Sequence, residues 1–145
     1  IKMPGNNKNI KIYEPTVSYD LFPTILEFAG IENTNQEIDG ISLIPHLKTG
    51  TELNRKDIFW HFPHYHTSQW KPGAAIRQGD WKLVEHYESN KIELFNLKDD
   101  VSESKNLNLI YPEKTESLLK RLHELQKKTN ANPIKINPNY KTPSN

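Results

Sequence analysis

The chain has 145 residues, 34% hydrophobic and 26% charged, with 19 basic against 18 acidic side chains and a formal net charge of +1. That balance excludes the clustered cationic footprint of a nucleic-acid binder and a polybasic membrane anchor, and no apolar run approaches the ~20 residues of a membrane-spanning helix. With no cysteine, disulfides, thiolate metal sites and a cysteine nucleophile are excluded within these residues, while the compartment stays open.

The apolar share is low for a self-sufficient globule. The chain also begins abruptly at Ile1-Lys2-Met3-Pro4-Gly5, so part of a longer or processed protein is expected. After an Asn/Lys-rich turn from Asn6 to Asn9, Ile10-Lys11-Ile12-Tyr13 reads as a short strand. A helix is then predicted over 20–29. Asp20 is placed as its N-cap, Pro23 as its third residue, and Gly30 as the left-handed stop. Leu21, Ile25, Phe28 and Ala29 share one face of it. A loop from Glu32 to Gly40 leads to a helical turn in Ile41–Leu47, packed by Leu43, Ile44 and Leu47.

From Asp57 the period changes to that of strands. Asp57–Phe62, Ala74–Gln78, Trp81–Tyr87 and Lys91–Leu97 form the expected antiparallel meander, with Gly79-Asp80 as a hairpin turn. The loop Pro63–Gly73 lies between the first two. Asp99 to Pro112 is a connection, and Glu113–Lys128 is an amphipathic helix whose stripe is Leu118, Leu122 and Leu125 with Leu119. Residues 129–145, with Pro133, Pro138 and Pro143, are expected to be an extended tail.

The chemistry-bearing residues concentrate in His61-Phe62-Pro63-His64-Tyr65-His66, which holds three of the six histidines. Imidazole has two distinct nitrogens, titrates near neutrality, and can donate to anionic oxygens or bind metal. Three readings follow. A metal site has little support, since the spacing matches no His-x-x-x-His pair and zinc wants three or four converging ligands. Packing on Trp60 and Tyr65 with bonds to backbone carbonyls is the second. Donation to sulfate, phosphate or sugar hydroxyls is the third. Trp70 offers a flat face for a sugar ring or an anchor for its loop. Arg77 and Lys82 flank the hairpin, and arginine suits bidentate oxyanion recognition, although a solvated or structural charge serves as well. Asp20 reads as a cap, and Asp99, Asp100 and Glu103 as turn formers. No Gly-x-Ser-x-Gly and no glycine-rich phosphate loop is present, so no complete catalytic apparatus is visible.

Five segments in order resemble the C-terminal portion of the formylglycine-dependent sulfatases. They are Asp20-Leu21-Phe22-Pro23-Thr24-Ile25-Leu26 with Ala29-Gly30; Asp39-Gly40-Ile41-Ser42-Leu43-Ile44-Pro45; Ala75-Ile76-Arg77-Gln78-Gly79-Asp80-Trp81-Lys82-Leu83; Glu93-Leu94-Phe95-Asn96-Leu97 with Asp99-Asp100, Glu103 and Asn106-Leu107; and the opening Pro4-Gly5. The His-Phe-Pro-His-Tyr run and Asn137-Pro138-Asn139-Tyr140 resemble the bacterial polysaccharide-acting branch.

The resemblance implies an α/β, alkaline-phosphatase-like parent. Residues 1–56 would end its larger domain, 57–128 would form an α+β subdomain of antiparallel sheet and packed helix 113–128, and 129–145 its tail. The family's formylglycine arises in a Cys/Ser-x-Pro-x-Arg motif, and its calcium is held by Asp and Asn of the larger domain. No such motif occurs here, so nucleophile, formylglycine and calcium ligands are expected elsewhere in the parent, and the chain alone is expected to be inactive. The partners implied are that N-terminal catalytic domain and a sulfated carbohydrate, with no nucleic acid and no membrane. His61, His64, Tyr65, His66, Trp70 and Arg77 would line the substrate pocket, and the parent would be periplasmic or secreted. A phosphate- or phosphonate-ester hydrolase, and a free-standing anion- or carbohydrate-binding module, are the alternatives.

Overall fold

A computed structural model describes residues 13–32, 37–67, 70–132 and 134. Residues 10–12 of the expected strand and most of the tail lie outside them. The chain divides into two compact units, Ile1–Arg55 and Lys56–Asn145.

In the first unit, a 3-10 turn at Ser18–Asp20 runs into helix α1, Leu21–Phe28, and helix α2 spans Ile44–Thr49. Pro23 is the third residue of α1, where its missing N–H is one of the helix's unused donors, and Gly30 takes φ +68° just past its end. Asp20 holds the N-cap position that was expected, but it does not cap through its side chain. The preceding turn already gives it helical dihedrals (φ −71°, ψ −21°), and its side chain makes no capping bond. The carboxylate is fully buried. It accepts from Val17 N at 2.9 Å and Ile41 N at 3.1 Å, and pairs with the Arg55 guanidinium.

Thr24 completes this polar joint. Its hydroxyl donates to Asp20 O at 2.6 Å and accepts from Leu43 N at 3.0 Å, fixing α1 to the start of α2. Gly40 is required here, because a Cβ would lie 2.2 Å from Tyr19 O. The face of α1 carrying Leu21, Ile25 and Phe28 points away from the joint, and all three side chains are exposed.

The second unit is the expected antiparallel sheet with a packed helix. Strands β1 (Ile58–Phe62), β2 (Gly73–Gln78), β3 (Trp81–His86) and β4 (Lys91–Asn96) pair in the order β1-β2-β3-β4, and helix α3 is Pro112–Lys128. Gly79 takes φ +56° in the β2–β3 turn, closing the register Gln78↔Trp81.

Side chains alternate across each strand. On one face Ala74, Ile76, Leu83 and Leu94 meet Leu118 and Leu122 of α3 in the principal core, with Phe59 packed against them. On the other, Ala75, Val84 and Phe95 form a smaller cluster with Trp70. Arg121 reaches Asp57 at 2.8 Å, and Asp57 also accepts from Gln78 at 2.6 Å, so α3 is tied to the start of β1.

The Glu93–Leu107 segment that carried part of the resemblance turns out to be scaffold. Asn106 and Asn108 cover the outer edge of β4. Asn106 Oδ1 accepts from Leu94 N at 3.0 Å, Asn108 Nδ2 donates to Ile92 O at 2.9 Å, and Leu107 N donates to Leu94 O at 2.8 Å. A sheet edge left bare would present unpaired backbone groups. Asp100 accepts from Ser104 N and Lys105 N, at 3.1 and 2.8 Å, and these two bonds hold its carboxyl below the usual range. Glu103 clasps Lys82 at 2.7 and 2.8 Å.

Candidate functional site

The histidine cluster does not stay together. In β1 the side chains alternate, so Phe59 and His61 face α3 while Ile58, Trp60 and Phe62 face the opposite side. His61 is therefore separated from His64 and His66, which follow Pro63. Its Nδ1 bonds Tyr87 Oη at 2.6 Å and its Nε2 bonds Asn132 O at 2.8 Å, so both ring nitrogens are occupied. The expectation that all three histidines line one pocket is corrected by this parity. It was legible in the sequence, since strand period alone opposes residues 61 and 62.

On the face away from α3, Trp60, Phe62, His66, Trp70, Ala75 and Lys82 line an open groove of about 480 Å³. Trp60 is 45% exposed and Phe62 41%. His64 and His66 both meet the Phe62 ring edge-on, with centroids at 5.7 and 6.2 Å. The loop closes on itself through His66 N donating to Trp70 O at 3.2 Å. Trp70 Nε1 donates to Phe62 O at 3.4 Å, and its ring tilts over His86. Gly73 lets this loop enter β2, since a Cβ there would lie 2.6 Å from Glu85 O and 3.2 Å from the Trp70 ring.

The groove thus offers two indoles and an imidazole in an apolar setting, with one ammonium that Glu103 already neutralises. Tyr65 leans outward to Glu88. Arg77 stays with its own hairpin, its Nε donating to Gly79 O at 2.8 Å. Of the six residues proposed from sequence, His66 and Trp70 line the groove and His64 stands beside it, while His61, Tyr65 and Arg77 have other engagements. Sequence reasoning missed Trp60 and Phe62 as lining residues, and it noted Lys82 beside the hairpin without placing it at the groove. The i, i+2 spacing of Ile58, Trp60 and Phe62 was the available signal.

Behind the sheet lies a smaller cavity of about 300 Å³, lined by His61, Glu85, Tyr87, His123, Gln126, Ala131 and Ile134. Asn130, at φ +49°, turns the chain back after α3 and brings Asn132 to His61. Gln126 Nε2 donates to Tyr87 Oη at 2.7 Å. Burial, reinforced by the Glu85 charge and opposed by the Gln126 bond, pushes the Tyr87 phenol up to about 12. Glu85 Oε1 is 3.0 Å from His123 Nε2, whereas Oε2 is buried without a partner. Among the described residues, no group of three or more His, Asp or Glu side chains stands together to hold a metal ion.

Residues 1–132 match the family described as N-sulphoglucosamine sulphohydrolase, C-terminal. The chain belongs to that family. It is 31% identical over 118 residues to a sulfatase of Formosa agariphila, covering 73% of this chain and 21% of that protein. Over 125 residues it is 32% identical to an N-acetylglucosamine-6-O-sulfatase of Bacteroides thetaiotaomicron, covering 81% and 22%. A solved structure of a protein in complex with its substrate D-glucosamine-2-N,6-O-disulfate superimposes with a TM-score of 0.65 at 32% identity, over 79% of this chain and 24% of that one. A phosphonate monoester hydrolase from Silicibacter pomeroyi shares the fold at 24% identity and a TM-score of 0.58. The chain therefore spans between a fifth and a quarter of the length of the curated relatives it matches. As a sulfatase C-terminal domain it carries the small antiparallel sheet and C-terminal helix of these neighbours, whose larger fold is alkaline-phosphatase-like.

Proposed function

We propose that the protein is a sulfuric ester hydrolase acting on a sulfated carbohydrate, and that this domain walls the sugar side of its pocket without supplying nucleophile or metal ligands. The observation that carries the reading is the groove of Trp60, Phe62, His66 and Trp70. Indole faces are large, rigid and apolar, which suits the C–H face of a pyranose ring. A neighbouring imidazole N–H is a donor suited to a sulfate or hydroxyl oxygen. The relatives named as N-acetylglucosamine-6-O-sulfatase and as a complex with a disulfated glucosamine support the substrate class.

The nucleophile falls to the rest of the protein, because these residues contain no cysteine and no Ser-x-Pro-x-Arg. Our reading also puts formylglycine and calcium there, and exports the protein to the periplasm or beyond, as the resemblance implies. A sulfate ester is preferred over a phosphonate because the Formosa agariphila and Bacteroides thetaiotaomicron relatives, at 31 and 32% identity, are named sulfatases, whereas the phosphonate hydrolase speaks to fold alone. A free-standing binding module is disfavoured by the apolar surface left open on α1.

The test uses the full-length protein. Trp70→Ala and His66→Ala are expected to raise KM at least several-fold, or to reorder preference among sulfated sugars, with kcat on a small aryl sulfate retained. His64→Ala, beside the groove, is expected to act in the same sense and more weakly. Unaltered kinetics across a panel of sulfated sugars would remove the groove from the substrate path. Faster release of phosphonate than of sulfate would favour the other ester.

A further inference from the structure

We infer that Glu103 is a specificity-determining residue: by holding Lys82, it closes the groove to a second anionic group and restricts it to a singly sulfated sugar. The inference rests on the reading of the groove as part of the substrate path. Lys82 brings an ammonium to the groove lining. Left free, it would draw any further sulfate or carboxylate that a sugar carries. It is not free. Both carboxylate oxygens of Glu103 accept from its Nζ, at 2.7 and 2.8 Å, and the two side chains are only 24% and 32% exposed. A second sulfate would therefore meet a cation already matched, with a carboxylate beside it.

The pairing is built into the backbone. Glu103 sits in the left-handed region, at φ +55°, which residues other than glycine, asparagine and aspartate adopt rarely. The loop around it enforces that conformation. Glu103 N donates to Asp100 O at 3.2 Å, and Asp100 Oδ1 accepts from Ser104 N and Ser104 Oγ at 3.1 and 3.0 Å. Lys105 N donates to Asp100 Oδ2 at 2.8 Å. These bonds hold Glu103 against a residue 21 positions earlier in the chain. Backbone kept in a sparsely populated region concentrates at binding sites. Arg77 stands directly opposite Lys82 in the β2–β3 register. Like charges facing each other across two strands repel, so Glu103 also relieves that pair. Such relief is a structural role, and a readout of stability alone would not distinguish it from specificity.

The test uses the full-length protein and two competitors of aryl sulfate hydrolysis, N-acetylglucosamine 6-sulfate and glucosamine 2-N,6-O-disulfate, which differ by one anionic group. Inhibition constants are measured beside the melting temperature of each variant. Glu103→Gln is expected to strengthen inhibition by the disulfate over the monosulfate about two- to fivefold, the scale of an exposed ion pair. That gain should shrink as salt rises. Lys82→Met uncovers the carboxylate and is expected to move the same ratio the other way. In the double variant the ratio should return to that of the unsubstituted protein. Should Glu103→Gln fail to fold, Lys82→Met carries the test alone. A ratio unmoved in a folded variant, or a gain that survives in the double variant, overturns the inference. If Trp70→Ala weakens both sugars while the ratio stays fixed, only the role of Glu103 falls. If neither sugar competes, or Trp70→Ala changes nothing, the groove is off the substrate path and both readings fall.

Discussion

In α3, Leu118 and Leu122 are fully buried against the sheet, whereas in α1 the residues at equivalent places in the pattern, Ile25 and Phe28, are more than half exposed. The two helices carry the same kind of period. The second meets a sheet whose facing residues, Ile76, Leu83 and Leu94, are also fully buried, so one unit contains both halves of its core. The first is tied down within its own unit by the polar joint of Asp20 and Thr24, with its Ile25 and Phe28 left outside it. Apolar periodicity fixes which side of a helix seeks cover, and it says nothing about whether the cover lies within the same stretch of chain.

The comparison is broken most severely at the polar joint of the first unit. Asp20→Ala leaves Arg55 buried without its carboxylate, and removing one member of a buried pair costs about 3–5 kcal/mol. Equilibrium denaturation followed by a probe in residues 13–55 should show that loss, and a cost below about 1 kcal/mol would mean that the ion pair does not hold the unit. In the second unit the corresponding lesion is Leu122→Ala. A fully buried leucine cut to alanine costs about 2–5 kcal/mol, read as a lower denaturation midpoint for the sheet and α3.

A smaller effect is expected at Tyr87, whose hydroxyl serves both His61 and Gln126. Tyr87→Phe should cost roughly 1–2 kcal/mol. Its titration gives an independent check. Because the folded phenol is raised from 10.0 to about 12, its contribution is fully present below pH 10 and is lost as pH rises toward 12. Ultraviolet titration should show a late-ionising tyrosine phase, to which Tyr19, also raised by burial, contributes, and Tyr87→Phe should diminish it.

Glu93 works in the opposite pH direction. Burial pushes its carboxyl up, but hydrogen bonds from Lys91 and His86, with their charges, outweigh that and hold it below its ordinary value of 4.5. Its stabilisation is present above that value and is lost as pH falls through the depressed folded value. Glu93→Gln should flatten the acid limb of the stability profile by at most about 1 kcal/mol. The smallest effect sharpens the contrast between the helices. Ile25→Ser should change the stability of residues 1–145 alone by no more than about 0.5 kcal/mol. The same change in the full-length protein should cost several times as much if the α1 face is covered there.

Much of the second unit was legible because its signals are local. Gly79-Asp80 sets the hairpin, alternation sets the strands, and the leucine stripe sets α3. The site was less legible. The three histidines looked like one cluster by proximity in sequence, yet strand parity sends His61 to one face and leaves His64 and His66 beside Phe62 on the other. Asp20 looked like a helix cap because the 3-10 turn before it could not be seen. Its real partners, Ile41 and Arg55, lie 21 and 35 residues away.

By itself the sequence determined the antiparallel strands, the two amphipathic helices, the lack of any thiol within these residues, and the ordered segments by which the family is known. These follow from properties that a few neighbouring residues carry. Only the tertiary structure decided which imidazole faces the groove, that Asp20 and Thr24 are a buried joint, and that the apolar side of α1 stands open. Each of these depends on groups far apart in sequence arriving at one place, where burial and hydrogen bonding assign roles that residue type alone leaves undetermined.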